Sequence, residues 1–135
     1  MQKIVIDTNE LIFSILSEKS YSAEIMEKVY CENVELYISE GILDEYARVL
    51  AYEKFNFTVE RREQTLRDIR EVGRFVNPLQ SSVPIRDEDD RIFYDTAKQS
   101  GAILITSDND LLVLNENFIM SAEEYMKISR TTFLS

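Results

Sequence analysis

The chain has 135 residues, 25 of them acidic and 15 basic, a formal charge of −10, and no histidine. The missing histidine removes imidazole acid–base and nucleophile chemistry and the histidine-containing zinc and non-haem iron sites. The acidic balance is the wrong sign for a protein held to nucleic acid by a broad basic surface.

Residues 3–6 (Lys-Ile-Val-Ile) form a β-rich apolar run that stops at Asp7. The run is too short for a signal peptide, and no later segment approaches a membrane span, so a cytoplasmic chain is expected. A turn at Asp7-Thr8-Asn9 leads into a helix whose Leu11, Ile12, Ile15 and Leu16 recur at helical spacing. Residues 22–32 continue as helix, with Ser22 as cap and Ile25, Met26 and Val29 on one face. Cys31 is the single cysteine, which excludes an intrachain disulfide and a cysteine-rich zinc site; it is expected as a small buried or half-buried apolar residue.

Residues 34–38 read as a second strand. Ser39 then opens a helix carrying Ile42, Leu43, Tyr46, Ala47 and Leu50. Thr58 starts an exposed helix over 58–72, with Val59, Leu66, Ile69 and Val72 as its narrower apolar side. A short strand at 74–77 and a loop at 78–84 follow. A helix is expected over 87–100, with Gly101 just past its end. Residues 102–106 have the continuous apolar character of a strand buried on both faces. A short helical segment over 108–114 and a small strand at 118–120 come next. Ser121-Ala122-Glu123-Glu124 is a capping-box pattern for the closing helix.

The length is that of one domain, and Gly and Pro are scarce, at three and two. Strands alternating with helices predict a mainly parallel sheet covered on both faces, a three-layer α/β/α sandwich over 1–135. In such sheets ligands bind beyond the carboxyl ends of the strands. Asp7 ends the first strand, and Asp108 lies two residues after Thr106 ends the longest apolar run.

Each acid also has an ordinary structural explanation. Asp7, Asp87 and Asp89 sit where helix caps sit. Asp90 shares a helical stripe with Phe93 and Ala97, which puts its carboxylate at the inner edge of a first turn. Asp44 and Glu45 both border an apolar face. At roughly 100° per residue, Glu45 lies about 40° from Val49 and Asp44 about 60° from Ala47, so geometry does not choose between them. Asp108 and Asp110 flank Asn109, and either suits a cap or a ligand. Four acids converging at one end of a sheet would repel one another and raise each other's pKa. A hard divalent cation relieves this, and all-oxygen ligation selects Mg²⁺ or Mn²⁺.

In order along the chain, Ile4-Val5-Ile6-Asp7-Thr8-Asn9, Ser39-Glu40-Gly41-Ile42-Leu43-Asp44-Glu45-Tyr46, Arg86-Asp87-Glu88-Asp89-Asp90-Arg91-Ile92-Phe93, Leu104-Ile105-Thr106-Ser107-Asp108-Asn109-Asp110-Leu111-Leu112 and Ile119-Met120-Ser121-Ala122-Glu123-Glu124-Tyr125 resemble the PIN domain. The likeness is strongest to the small bacterial PIN proteins regarded as toxins of toxin–antitoxin systems, and it covers nearly the whole chain. It implies a PIN-like sandwich and Mg²⁺- or Mn²⁺-dependent endoribonuclease activity that leaves a 5′ phosphate. By position it assigns the metal-binding and catalytic acids to Asp7, Glu45 (rather than Asp44), Asp90 and Asp108, with Asp110 as auxiliary. It makes Asn9 and Thr106 supporting hydrogen-bonding residues. It also implies an RNA substrate, a cognate antitoxin as partner and a homodimer, with no membrane. Glu10 departs from the pattern, where an apolar residue is common, and so does Glu88, where proline is frequent.

Residues 54–74 hold six basic and four acidic side chains, a local excess of two positive charges against a remainder of −12. A mixed-charge solvated helix explains this. Alternatively Arg61, Arg62, Arg67 and Arg70 hold an RNA backbone, or the helix packs on an antitoxin or a second subunit. A receiver-like signalling domain would want paired acids after the first strand and a lysine after the last, and an aspartyl-phosphate phosphatase would want an acid where Asn9 stands. A catalytically silent PIN-fold binding module is the remaining alternative.

Overall fold

A computed structural model of the protein describes residues 1–134, with side chains through Arg130. Its strands β1 (Lys3–Ile6), β2 (Glu35–Ile38), β3 (Arg74–Phe75), β4 (Ile103–Ile105) and β5 (Ile119–Met120) form one parallel sheet in the order β3-β2-β1-β4-β5. Ile4, Val5, Ile6, Leu104 and Ile105 are buried on both faces, as continuous apolar runs in a parallel sheet require. In β2 the burial alternates, with Leu36 and Ile38 inside and Glu35 and Tyr37 half-buried.

The helices are α1 (Thr8–Leu16), α2 (Tyr21–Tyr30), α3 (Glu40–Leu50), α4 (Val59–Val72), α5 (Arg91–Ser100), α6 (Asn109–Leu112) and α7 (Ala122–Leu134). From β1 the chain steps outward to β2 and β3 through α1 to α4. It then returns across the sheet through α5, which packs on β1, β2 and β4, and enters β4 on the other side of β1. Right-handed crossovers place outward and return connections on opposite faces, which yields the three-layer α/β/α sandwich. The strand order reverses between β1 and β4, and the crevice at such a reversal is where open α/β sheets bind ligands.

Local signals placed most boundaries. Ser39 and Thr58 cap α3 and α4, Ser121 accepts from the Glu124 amide at 3.1 Å, and Gly101 ends α5 at φ +68°. Several expectations are corrected. Thr8 and Asn9 already belong to α1, because the Asp7 side chain caps it from the strand end. Ser20, not Ser22, caps α2. Ser22 is the buried second residue of α2 and donates to Glu10 Oε2 at 2.6 Å, which satisfies the acid that departs from the PIN pattern. Cys31 is exposed, because α2 ends at Tyr30 and the chain turns out through Glu32 at φ 59°. Val59 is exposed in the first turn of α4, while Ile69 carries that helix's packing. The helix expected over 87–100 is a 3₁₀ turn, Glu88–Asp90, followed by α5, with the Asp87 side chain accepting from the Asp89 amide at 3.0 Å. Phe118 lies outside β5, its ring 5.4 Å from that of Tyr94.

Gly73, between α4 and β3, cannot carry a side chain. A Cβ there would collide with Ile38 Cδ1 and lie 2.7 Å from the Ile69 carbonyl oxygen. Gly73→Ala is expected to destabilise the protein by about 1–3 kcal/mol, read as a lower urea midpoint.

Candidate active site

Asp7 is held at the carboxyl end of β1 by the sheet itself, its amide donating to the Ile105 carbonyl at 3.0 Å. Its carboxylate is 4% exposed. One oxygen accepts from the Thr8 amide at 2.8 Å and the other from Thr106 Oγ1 at 2.6 Å. Thr106 is fully buried, and its hydroxyl also accepts from the Asp108 amide at 3.0 Å, so one threonine ties the ends of β1 and β4 together. Burial pushes the Asp7 carboxyl up to about 6; the bonds from Thr106 and Thr8 pull it down, and the charges of Asp108 and Glu10 raise it further.

Asp90 opens α5 and is 7% exposed. Its Oδ2 is buried with no hydrogen-bond partner among the described residues. Its pKa is raised well above the carboxylate range, first by burial, then by Asp108, then by Asp7 and Asp87. Asp108 caps α6, its Oδ1 accepting from the Asp110 amide at 2.9 Å.

Asp7, Glu45, Asp90 and Asp108 line a single cleft of about 200 Å³, together with Asn9 and Asp87. Asp44 is exposed and outside it. The choice between Asp44 and Glu45 turns on which apolar neighbour is buried: Val49 is inside and Ala47 is exposed, so the Glu45 edge faces in. Asn9 lines the cleft, but no acid accepts a hydrogen bond from it among the described residues. Asp110 stands at the margin. One oxygen each of Asp87, Asp90 and Asp110 lie within 4.8 Å of one another, and Arg86 approaches Asp110 at 3.9 Å.

None of Arg61, Arg62, Arg67 and Arg70 lines this cleft. Arg67 pairs with Glu63 at 3.9 Å and Arg70 with Glu40 at 3.2 Å. Arg61 borders a separate hollow between α2 and α4, beside Tyr30 and Cys31. The cations on the cleft are Arg48 and Lys54, which pattern reading missed. Arg48 grips Glu45 with two bonds, Nη2 to Oε2 at 2.8 Å and Nε to Oε1 at 3.2 Å, and reaches toward Asp89 at 3.7 Å. The signal was its i,i+3 spacing from Glu45. Lys54 had none, because only the turn after α3 brings it round.

An orphaned buried carboxylate oxygen, two acids whose protons are held abnormally tightly, and an all-oxygen donor set suit a hard divalent cation. Among the described residues Asp87, Asp90 and Asp110 bring one oxygen each close enough together to share an ion, and Asp7 and Asp108 line the same cleft. Thr106→Val would leave Asp7 and the Asp108 amide each one partner short. It is expected to cost about 1–3 kcal/mol at pH 8 and less at pH 5, where Asp7 keeps its own proton, as urea unfolding at the two pH values would read.

Among known proteins, the chain is 29% identical over 130 residues to the uncharacterized protein MJ1680 of Methanocaldococcus jannaschii, covering 94% of this chain and 81% of that one. Its fold is similar to that of a chain in the crystal structure of VapBC2 from Rickettsia felis bound to a DNA fragment from their promoter. That match has a TM-score of 0.57 and 14% identity, and covers 89% of this chain and 97% of the other. The PIN domain family model matches residues 3–110, and with the strand-end acids already in place the chain belongs to the PIN domain family.

Proposed function

We propose that this protein is a divalent-metal-dependent endoribonuclease, using Mg²⁺ or Mn²⁺, and the toxin of a toxin–antitoxin pair. The observation that carries the reading is the buried, unpartnered Asp90 Oδ2 in a cleft shared with Asp7, Glu45 and Asp108. Membership of the PIN family supports nuclease chemistry. The fold likeness to a chain of a VapBC2 structure supports a cognate antitoxin as partner, with a homodimer as the assembly. No described helix is long and apolar enough to cross a membrane, and we place the protein in the cytoplasm with its RNA.

In this reading residues 1–135 act as one nuclease domain. Asp7 is held rigidly by Thr106 and Thr8, so its outward lone pairs keep one direction. Asp90 and Asp108 complete the ligand set, with Asp110 and Asp87 beside them. A bound cation supplies Lewis-acid polarisation of the phosphate and lowers the pKa of water. Glu45, once released by Arg48, orients the attacking water or joins the ligands. Arg48 and Lys54 hold the phosphates flanking the scissile bond, and Arg61, Arg62, Arg67 and Arg70 hold more distant ones.

The test is cleavage of a panel of end-labelled RNAs with Mn²⁺, with Mg²⁺ and with EDTA, comparing the parent with Asp7→Asn. Cutting that needs metal and vanishes in Asp7→Asn supports the enzyme. If no RNA is cut, or if Asp7→Asn cuts as well as the parent, the silent binding module takes its place.

A further inference from the structure

Along one wall of the cleft the chain leaves α3 and makes the 3₁₀ turn Glu53–Phe55. Tyr52, Phe55 and Phe57 stand there as a ladder of near-parallel rings. Tyr52 and Phe55 have centroids 6.4 Å apart and planes within 9°, and Phe55 and Phe57 are 5.8 Å apart and within 17°. Phe55 and Phe57 pack against the core from partly buried positions, whereas Tyr52 is 38% exposed. Tyr52 and Phe55 both line the cleft that holds Asp7 and Asp90.

The ladder is set with some stiffness. The Phe55 amide donates to the Tyr52 carbonyl at 3.1 Å, the Asn56 amide to that of Glu53 at 3.0 Å, and Asn56 turns the chain at φ 53°. The Tyr52 hydroxyl accepts from Arg48 Nη1 at 2.5 Å. Arg48 lies 5.7 Å from the Tyr52 ring centroid, and the Lys54 ammonium lies 6.0 Å and 5.2 Å from the Tyr52 and Phe55 rings. Among the described residues Lys54 forms no salt bridge.

We propose that Tyr52 and Phe55 form a stacking subsite for an unpaired nucleobase next to the scissile phosphate, with Arg48 and Lys54 on the phosphates either side. The proposal rests on the nuclease reading and adds what holds the substrate. A chain of charge −10 with a carboxylate-lined cleft gains little from phosphate contacts alone. Stacking on aromatic rings is insensitive to that charge, tolerates any base and requires the base to be out of a duplex. Tyr52 is partly exposed and, with Phe55, lines the cleft that holds the acids.

The experiment is fluorescence anisotropy of the full chain with three end-labelled 12-mers: single-stranded RNA, an oligomer of the same phosphates carrying base-free spacers, and a fully paired duplex. Each is measured in EDTA and again in Ca²⁺. The parent is expected to bind the single strand about ten-fold or more tighter than either of the others. Tyr52→Leu and Phe55→Leu bring the single strand close to the base-free oligomer by weakening the single strand far more than the base-free probe, while Tyr52→Phe keeps the preference. Equal binding of single strand and base-free oligomer by the parent overturns the proposal without recourse to any variant. So does failure to bind all three, or a variant that weakens both single-stranded probes equally. Because the readout is binding, a protein that stacks bases but cuts no RNA would sink the nuclease reading and keep the subsite. One that cuts RNA without preferring bases would do the reverse.

Discussion

Asp90→Asn is expected to abolish metal-dependent cleavage, by about 10²-fold or more, while making the metal-free protein more stable at pH 8. The two effects have one cause. Asp90 is buried beside Asp108 and within the field of Asp7 and Asp87, and its Oδ2 has no partner among the described residues. Without a cation this is repulsion at close range, and the carboxyl clings to its proton. An asparagine of the same shape carries no charge and offers an amide N–H to Asp108. Stability should rise by on the order of 1 kcal/mol, or about 3–5 °C in a chain of this size. The measurements are initial cleavage rates in Mn²⁺ and thermal unfolding in EDTA. Retained cleavage would remove Asp90 from the ligand set. A fall in metal-free stability would mean the carboxylate is satisfied in solution by something the repulsion argument omits.

The metal-free protein should also lose stability as pH rises from 5 to 8, and a divalent cation should restore it. Asp7 and Asp90 both have folded pKa values above those of an unfolded aspartate. The folded state therefore binds their protons more tightly, and deprotonation works against folding. The loss begins near the unfolded value of about 4 and, for Asp7, is complete above its folded value of about 6. Asp90 extends it to higher pH. Asp7 alone accounts for on the order of 2–3 kcal/mol over the whole range and for roughly half of that between pH 5 and 8. Glu88, held below the usual carboxylate range by Arg91, acts in the opposite sense but only in more acidic solution.

Cation binding needs the deprotonated ligands, so metal stabilisation should grow with pH. At about a hundred times its dissociation constant a metal contributes about 2.7 kcal/mol, close to 10 °C here. Differential scanning fluorimetry at pH 5 and pH 8, with EDTA and with Mn²⁺, reads both halves. Metal-free stability that climbs over this window, or a metal increment equal at the two pH values, would refute the account.

Much of this protein was legible along the chain because the signals are local. Strand runs of period two or continuous apolar character, helical stripes, and the caps Ser39, Thr58 and Ser121 act within a few residues, and the structure has the elements they mark. Where local reading slipped, a longer-range contact had won. Ser22 looks like a cap, but Glu10 from the neighbouring helix holds its hydroxyl, and Ser20 caps instead. Helical geometry alone left Asp44 and Glu45 open; the family resemblance chose Glu45, and Val49 inside with Ala47 outside gives the physical reason.

The sequence by itself determined which acids stand at strand ends and helix starts, because those positions follow from where each element stops. Tertiary structure alone decided that β4 returns beside β1, since strand order is a matter of long-range pairing and crossover handedness that no local pattern encodes. That one decision brings Thr106 onto Asp7, sets Asp108 against Asp90, and leaves Asp90 with its orphaned oxygen. It also placed the cations. The arginines of α4 are the obvious basic run, but α4 packs against α2 and α3, and none of its arginines lines the cleft. Arg48, Tyr52 and Phe55 have the i, i+4, i+7 spacing of a helix face, but α3 stops at Leu50, so it is the folded 3₁₀ turn that gathers them, with Lys54, on one wall of the cleft.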